Sequence, residues 1–262
     1  MEKIDLSIII VNYRSRTYLE KCLASLYAKI EKNVLFEVLV VNNGKDDELG
    51  GLEALFPVTK IIQNKKNTGF GSANNLGAKE ARGALLFFLN PDTELISRNI
   101  SSVMDEFGCD PTLGVLGVRA VTSQKKVQKW IVGGEVTLWH ILRNNFRFSG
   151  DEKYWQSENK ITVFWVAGTA LFIPRSFFFQ LGGFDEHFFA YFEDVDLCRR
   201  ARSFGRKVIY FPTFSVLHHG GKSFAVKADQ KKNYYQSQNY YFKKHLGFFQ
   251  AQLLKILRFF SF

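Results

Sequence analysis

The sequence predicts an α/β fold with a mostly parallel, Rossmann-like central sheet flanked by helices. Three observations carry that prediction. Strand-length apolar runs alternate with segments whose apolar residues recur at helical spacing. The runs end in turns rich in Asn, Gly or Pro. Finally, 262 residues with 46% hydrophobic and 23% charged side chains are enough for a packed core and unlike a disordered chain.

Taken in order, Leu6 to Val11 is a β-branched run suited to a buried strand, and Tyr18, Leu19, Cys22, Leu23 and Leu26 follow at helical spacing. Phe36 to Val41 is a second strand, closed by Asn42-Asn43-Gly44. Asp46 to Phe56 reads as a helix stopped by Pro57, and Thr59 to Gln63 as a third strand. Gly71 to Ala81 is a small-residue helix, and Ala84 to Leu89 a fourth strand broken by Pro91. Strands separated by helices of this size imply βαβ units, parallel pairing and right-handed crossovers. Residues 120–162 have no clean period and read as an insertion of strands and loops. Phe164 to Pro174 predicts a strand, Arg175 to Leu181 a short helix closed by Gly182-Gly183, and Asp194 to Phe204 a stronger helix. Val208 to Phe211 is a strand stopping at Pro212. The expected organisation is one domain over residues 1–229, in halves 1–118 and 119–229, and a helical tail over 230–262.

Charge excludes some classes. The net charge is +10, but Gln230 to Phe262 holds six Lys/Arg and no acid, leaving 29 basic and 25 acidic residues elsewhere. The basicity belongs largely to the tail, so the body is not read as a nucleic-acid binder. The longest apolar run, Ala84 to Leu89, is far below the roughly 18 residues that span a bilayer. Met1 to Asp5 lacks the layout of a signal peptide. Three cysteines are too few and scattered for a disulfide framework or a Cys-rich zinc site. A cytoplasmic setting is expected.

In open α/β sheets ligands sit beyond the carboxyl ends of the strands. There the sequence places Val11-Asn12-Tyr13, Asn42-Asn43-Gly44 and Asn90-Pro91-Asp92. Between them Asn67 to Gly77 puts glycines and amides at a helix N-terminus, where backbone N–H groups can meet an anion or serve only the turn. No dinucleotide fingerprint or P-loop is present. Asp92 stands at the ligand edge, with an Asx-turn or helix cap as its plain alternative. Glu193-Asp194-Val195-Asp196 follows the aromatic run Phe188 to Phe192. Carboxylates so flanked either cap the next helix or lie in a desolvated site that raises their pKa, as a general base needs. His218, at a strand end before Gly220-Gly221, is either structural or a metal ligand with Asp92.

Together these segments resemble the family 2 glycosyltransferases, nearest the bacterial rhamnosyltransferase-like branch. The resemblance rests on Val40-Val41-Asn42-Asn43, Asn67-x-Gly69-Phe70 with Asn74-Asn75-x-Gly77, and Leu89-Asn90-Pro91-Asp92. It continues through Gly182 to Glu186, Phe192-Glu193-Asp194-x-Asp196-Leu197-Cys198-x-Arg200 and His218-x-x-Gly221-x-Ser223, in family order over roughly residues 6–224. It implies a GT-A fold, with a nucleotide-sugar-binding half over 1–118 and an acceptor-binding, catalytic half over 119–229. It also implies a nucleoside-diphosphate sugar donor, a glycan or lipid-linked acceptor, Mg2+ or Mn2+, and inversion at the transferred carbon. By position, Asp194 matches the base and Glu193 its supporting neighbour, while Asp92 and His218 match the metal-holding residues. Val11, Asn12, Tyr13, Asn42, Asn43, Asn67, Gly69, Phe70, Asn75, Asn90 and Pro91 fall on the donor side. Trp165, Gly168, Tyr191 and Arg200 fall on the acceptor side. Asn42 stands where the family commonly has an Asp, and Asn90 replaces the first Asp of its Asp-x-Asp motif. The rival readings are a nucleotidyltransferase, which calls for a basic Gly-rich loop where Asn12-Tyr13-Arg14 stand, and a non-catalytic sugar- or nucleotide-binding protein of the same fold.

In the tail, Leu246, Phe249, Leu253, Ile256, Leu257 and Phe260 recur at helical spacing beside Lys243, Lys244, Lys255 and Arg258. Such a stripe either packs on its own domain or docks on an anionic membrane, giving a peripheral location at the inner face of the cell membrane.

Overall fold

The computed structural model describes residues 3–44, 48–145, 150–220 and 227–259. Met1, Asp46, Gly221, Ser223, Phe260 and Phe262, named above, lie outside the described residues. The first half alternates as expected: β1 (Leu6–Asn12), α1 (Arg16–Lys29), β2 (Phe36–Asn42), α2 (Leu52–Leu55), β3 (Thr59–Gln63), α3 (Phe70–Glu80) and β4 (Leu85–Leu89). Then come β5 (Thr93–Leu95), α4 (Ile100–Cys109), β6 (Leu113–Val121), β7 (Val132–Gly133), α5 (Leu138–Asn145), α6 (Glu152–Trp155), β8 (Ile161–Thr162), β9 (Trp165–Val166), β10 (Ala170–Pro174) and α7 (Arg175–Gln180). The chain continues with α8 (Glu193–Ser203), β11 (Lys207–His218), α9 (Lys227–His245) and α10 (Phe248–Phe259).

The α/β architecture is the expected one, and the sheet is mixed. Its order is β3-β2-β1-β4-β10-β6-β11-β5, with β8 on β11. The quartet from β3 to β4 is parallel, as are β6 and β11, whereas β10 runs antiparallel to both neighbours. This reversal positions the site. Ala170 pairs with Leu89, so the segment entering β10 arrives at the carboxyl end of β4. Likewise Thr93 pairs with His218, which brings Asp92 beside the end of β11. At the sheet centre the Phe87 and Phe172 rings stack with centroids 3.8 Å apart, both fully buried.

Several elements differ from the sequence reading. Of the helix expected over 46–56, the described residues from 48 onward hold only the single turn α2, which Gly51 enters in the left-handed region (φ +84°). The strand expected over 164–174 is two, β9 and β10, separated at Ala167-Gly168-Thr169. β11 continues through Pro212: a register shift between Phe211 and Ser215 accommodates the residue without an N–H. The insertion contains the helices α5 and α6 as well as short strands. β6 is interrupted in pattern by Gly114 and Gly117, where a Cβ would lie 2.6 Å from Arg206 and 2.4 Å from Val166. The expected divisions at 118/119 and 229/230 fall inside β6 and α9.

Candidate active site

A cavity of about 1320 Å³ opens along the carboxyl edge of the parallel quartet and extends to α9. Single small-molecule pockets are typically ~300–1,000 Å³, so it has room for two substrates. Val11, Tyr13, Asn43, Asn67, Gly69, Phe70, Asn90, Pro91 and Asp92 line one end. Trp165, Gly168, Tyr191, Glu193, Asp194 and His218, also named by the sequence reading, line the rest.

The donor end is an amide network. Asn43 Nδ2 donates to Asn67 Oδ1 (3.0 Å) and to the Gly69 carbonyl (3.2 Å), and its Oδ1 accepts from the Thr68 N–H and from Asn64 Nδ2. One side chain thus shapes the loop leading into α3. Gly69 (φ +87°) lets that loop press on the aromatic segment 188–192: a Cβ there would lie 2.3 Å from the Phe189 carbonyl, which accepts the Phe70 N–H. Below, Asn12 Nδ2 donates to Asn42 Oδ1 and Asn42 Nδ2 to Gln63 Oε1, both beneath the cavity floor.

Four expected site residues do not line the cavity. Asn12 and Asn42 belong to that ladder. Asn75 bonds the Phe184 N–H and carbonyl and so ties α3 to the turn before α8. Arg200, expected on the acceptor side, is a brace: its guanidinium donates to Asp196 (2.7 Å) and to the Leu181 and Gly183 carbonyls (both 2.8 Å).

At the centre, Asp194 occupies the first turn of α8 behind Phe192, the residue that begins the helix. The plain capping alternative fails in its simple form, since Asp194 is inside the helix. Its Oδ2 accepts the Gly168 N–H and its Oδ1 the Val195 N–H, both at 2.8 Å. Burial raises its pKa, and those two N–H groups oppose the shift only in part. Glu193 beside it is pushed well above the carboxylate range by burial and then by the charge of Asp194. Two adjacent acids of this kind at one cavity wall suit proton transfer.

Asp92 and His218 face each other, Oδ1 to Nε2, at 3.2 Å. The following helix begins only at Ile100, so Asp92 does not cap it. The other imidazole nitrogen, Nδ1, lies 2.7 Å from Gln128 Oε1. With Nδ1–H donating to that oxygen, the Nε2 lone pair is directed at a carboxylate oxygen, an arrangement that a cation between them satisfies. Among the described residues no group of three or more His, Cys, Asp or Glu is arranged to hold a metal alone. The donor set therefore fits a hard divalent cation whose remaining ligands are phosphate oxygens and water.

The sequence reading missed the far wall. Val136, His140 and Trp130 from the insertion, and Gln230, Lys232, Asn233, Tyr234 and Gln238 from α9, line the cavity. What was read as an appendage is a wall of the site. Tyr191 and Phe192 both sit at positive φ (68° and 69°), a strain of ~1–3 kcal/mol each. α9 holds them there: Gln230 donates to the Tyr191 hydroxyl (2.8 Å), Ser237 to the Ala190 carbonyl (2.7 Å), and Tyr234 packs on both rings. The available signal was the mixture of Tyr, Gln and Asn over 230–241, a composition suited to a polar, ring-lined surface.

The fold defines the class first. GalNAc-T7 crystallised with UDP, GalNAc and Mn2+ superposes with a TM-score of 0.67 at 17% identity, over 85% of this chain and 44% of that one. The mannosyltransferase of Pyrobaculum calidifontis, in complex with GDP-Man and Mn2+, gives 0.64 at 15%, over 94% and 65%. This chain spans less than half of the former, and it shares with both the fold of GT-A glycosyltransferases. The family model described as "Glycosyl transferase family 2" matches residues 7–180, and the chain belongs to that family. Among its relatives is N-acetylglucosaminyl-diphospho-decaprenol L-rhamnosyltransferase of Mycobacterium tuberculosis, 29% identical over 97% of this chain and 89% of that protein. Rhamnosyltransferase WbbL of Escherichia coli is 27% identical over 84% and 87%.

Proposed function

We propose that this glycosyltransferase moves a sugar, with rhamnose the first candidate, from a nucleoside-diphosphate donor to a hydroxyl of a glycan or lipid-linked saccharide, inverting the transferred carbon. The observation that carries the reading is Asp194, a buried carboxylate with raised pKa at the junction of the amide-lined donor end and the aromatic far wall. In this reading Asp194 takes the proton of the acceptor hydroxyl as its oxygen attacks the anomeric carbon. The donor loop and Asn43 hold the nucleotide, and Trp165, Tyr191 and the α9 face orient the acceptor. Asp92 and His218 would hold Mg2+ or Mn2+, which when bound neutralises charge developing on the departing diphosphate. Release of nucleoside diphosphate, scanned over donors with and without a saccharide acceptor, tests the reading; release strictly dependent on both substrates is expected.

For the metal, excess chelator is expected to abolish transfer while the melting temperature of the protein stays unchanged, and Asp92→Ala is expected to act likewise. Full turnover in chelator removes Asp92 and His218 from that role.

The same reading places the enzyme at an anionic membrane surface through α10. One face of this helix packs inward, through Ala251 and Leu254, against Tyr241 and Phe242. The other face leaves Phe249 88% exposed, with Leu253 and Ile256 in line below it. No helix of the described residues is long and apolar enough to cross a membrane. Lys244 and Arg258 are engaged with Asp185, Asp196 and Gln238, so Lys243 and Lys255 remain for lipid, worth about 2 kcal/mol together. Partial burial of three apolar side chains adds to this, full burial being about 1.5–3 kcal/mol each. Replacing Phe249, Leu253 and Ile256 by Ser leaves the packed face intact. It is expected to abolish co-sedimentation with phosphatidylglycerol vesicles at unchanged melting temperature; retained binding removes α10 from the interface.

A further inference from the structure

Asp151 is a buried carboxylate in the insertion, 2% exposed, and it does not border the cavity. Its Oδ1 accepts the Gly134 N–H at 3.1 Å. Its Oδ2 lies 2.9 Å from His140 Nε2, in a contact bent away from hydrogen-bond geometry, and His140 is its one charged partner among the described residues. A buried charge needs a partner, so this carboxylate holds the edge of the imidazole that carries Nε2. The backbone of His140 is fixed as well: its N–H donates to Thr137 Oγ1 (3.1 Å) in the first turn of α5.

The other ring nitrogen has no such partner. Nδ1 makes no hydrogen bond among the described residues, yet it is not one of the buried atoms sealed from solvent. The side chain is 15% exposed and lines the cavity, whereas Asp151 behind it does not, so the accessible edge of the ring opens onto the cavity. A carboxylate only accepts. Nε2 therefore presents its hydrogen to Asp151, and in the neutral ring Nδ1 keeps a lone pair for a ligand. Val136 and Ile141, in the same segment, pack in one cluster with Phe192 and Val195, which flank Glu193 and Asp194. The donor loop contributes nothing to that cluster. We propose that His140 is an acceptor-binding residue: its Nδ1 accepts a hydrogen bond from a hydroxyl of the acceptor saccharide other than the attacking one, and Asp151 sets the orientation of the ring. This deepens the transferase reading above and rests on it.

The test measures initial rates of diphosphate release from dTDP-rhamnose, UDP-glucose and GDP-mannose. The acceptors are octyl glycosides of glucose, galactose, mannose and N-acetylglucosamine, with their monodeoxy forms. His140→Gln puts an amide where Nε2 stood, keeping a hydrogen turned to Asp151 but nothing at Nδ1. His140→Asn does the reverse, leaving a polar atom at the Nδ1 position and none near Asp151. His140→Gln is expected to raise the acceptor KM about 3- to 10-fold, the range of one hydrogen bond, with kcat, donor affinity and melting temperature unchanged. His140→Asn is expected to keep the acceptor KM and to melt lower. One monodeoxy acceptor is expected to lose the same factor with the wild type and nothing further with His140→Gln, a result that depends on His140 Nδ1 alone and holds whether or not His140→Asn folds. A contact that serves only to tie α5 to Asp151 leaves the acceptor KM of His140→Gln at the wild-type value. That value, a monodeoxy loss of equal size in both proteins, or a matching loss of donor affinity overturns the proposal alone. A wild type that shows no saccharide-dependent release overturns this proposal and the transferase reading together.

Discussion

Asp194→Asn is expected to lower turnover on the order of 10²- to 10⁴-fold, the usual share of general-base catalysis, while donor binding is kept. The amide still accepts the Gly168 N–H through its oxygen, but its NH2 group then faces the Val195 N–H, so one local hydrogen bond is lost with the charge. Donor affinity by calorimetry and turnover by diphosphate release separate the two effects. An equal loss of both, or normal turnover, removes Asp194 from the role of base. The pH profile of the wild type carries the same signature. Because burial raises the Asp194 pKa, its basic form disappears as pH falls through a value above the ordinary carboxylate range of about 3.9. The acid limb of kcat/KM is therefore expected above that range.

Asp196→Ala is expected to destabilise the protein by about 3–5 kcal/mol, the range for removing one partner of a buried charge pair. Asp196 is fully buried and receives Arg200 Nε at 2.7 Å and both Lys244 Nζ and His245 Nε2 at 2.6 Å. These contacts fasten the end of α9 to α8, and α9 in turn holds Tyr191 and Phe192 in their strained geometry ahead of Asp194. Urea unfolding measures the loss, and limited proteolysis reads release of the C-terminal helices. A near-wild-type midpoint with α9 protected rules out this fastening. Burial pushes the Asp196 pKa up, but His245, Arg200 and Lys244 together bring it below its ordinary value. The stabilisation is accordingly complete above about pH 3.9 and is lost as pH falls through the lower folded value.

Much of the site was legible because strand ends are legible. β1, β2 and β4 are largely apolar runs with every residue but one buried, and each closes on Asn or Asn-Pro-Asp. The parallel half followed from that punctuation, and with it Asn43, Asn90 and Asp92 at one edge. The four residues misplaced relative to the cavity, Asn12, Asn42, Asn75 and Arg200, share a physical cause. Each is a strong hydrogen-bonding side chain, and sequence position does not say whether its partner is a ligand, a side chain of the next strand as for Asn12 and Asn42, or the backbone of a turn as for Asn75 and Arg200.

The sequence by itself determined the α/β class, the family, the edge of the sheet where ligands meet, and the carboxylates and histidine that stand there. These depend on local signals: apolar period, turn residues and motif order. Only the tertiary structure decided that β10 reverses to deliver Gly168 to Asp194, that β11 passes Pro212 to bring His218 to Asp92, and that α9 walls the cavity. Those outcomes depend on contacts between segments far apart in the chain, such as Asp196 with His245 or Ala190 with Ser237. Their energies are set by burial and geometry that exist only after the chain has folded.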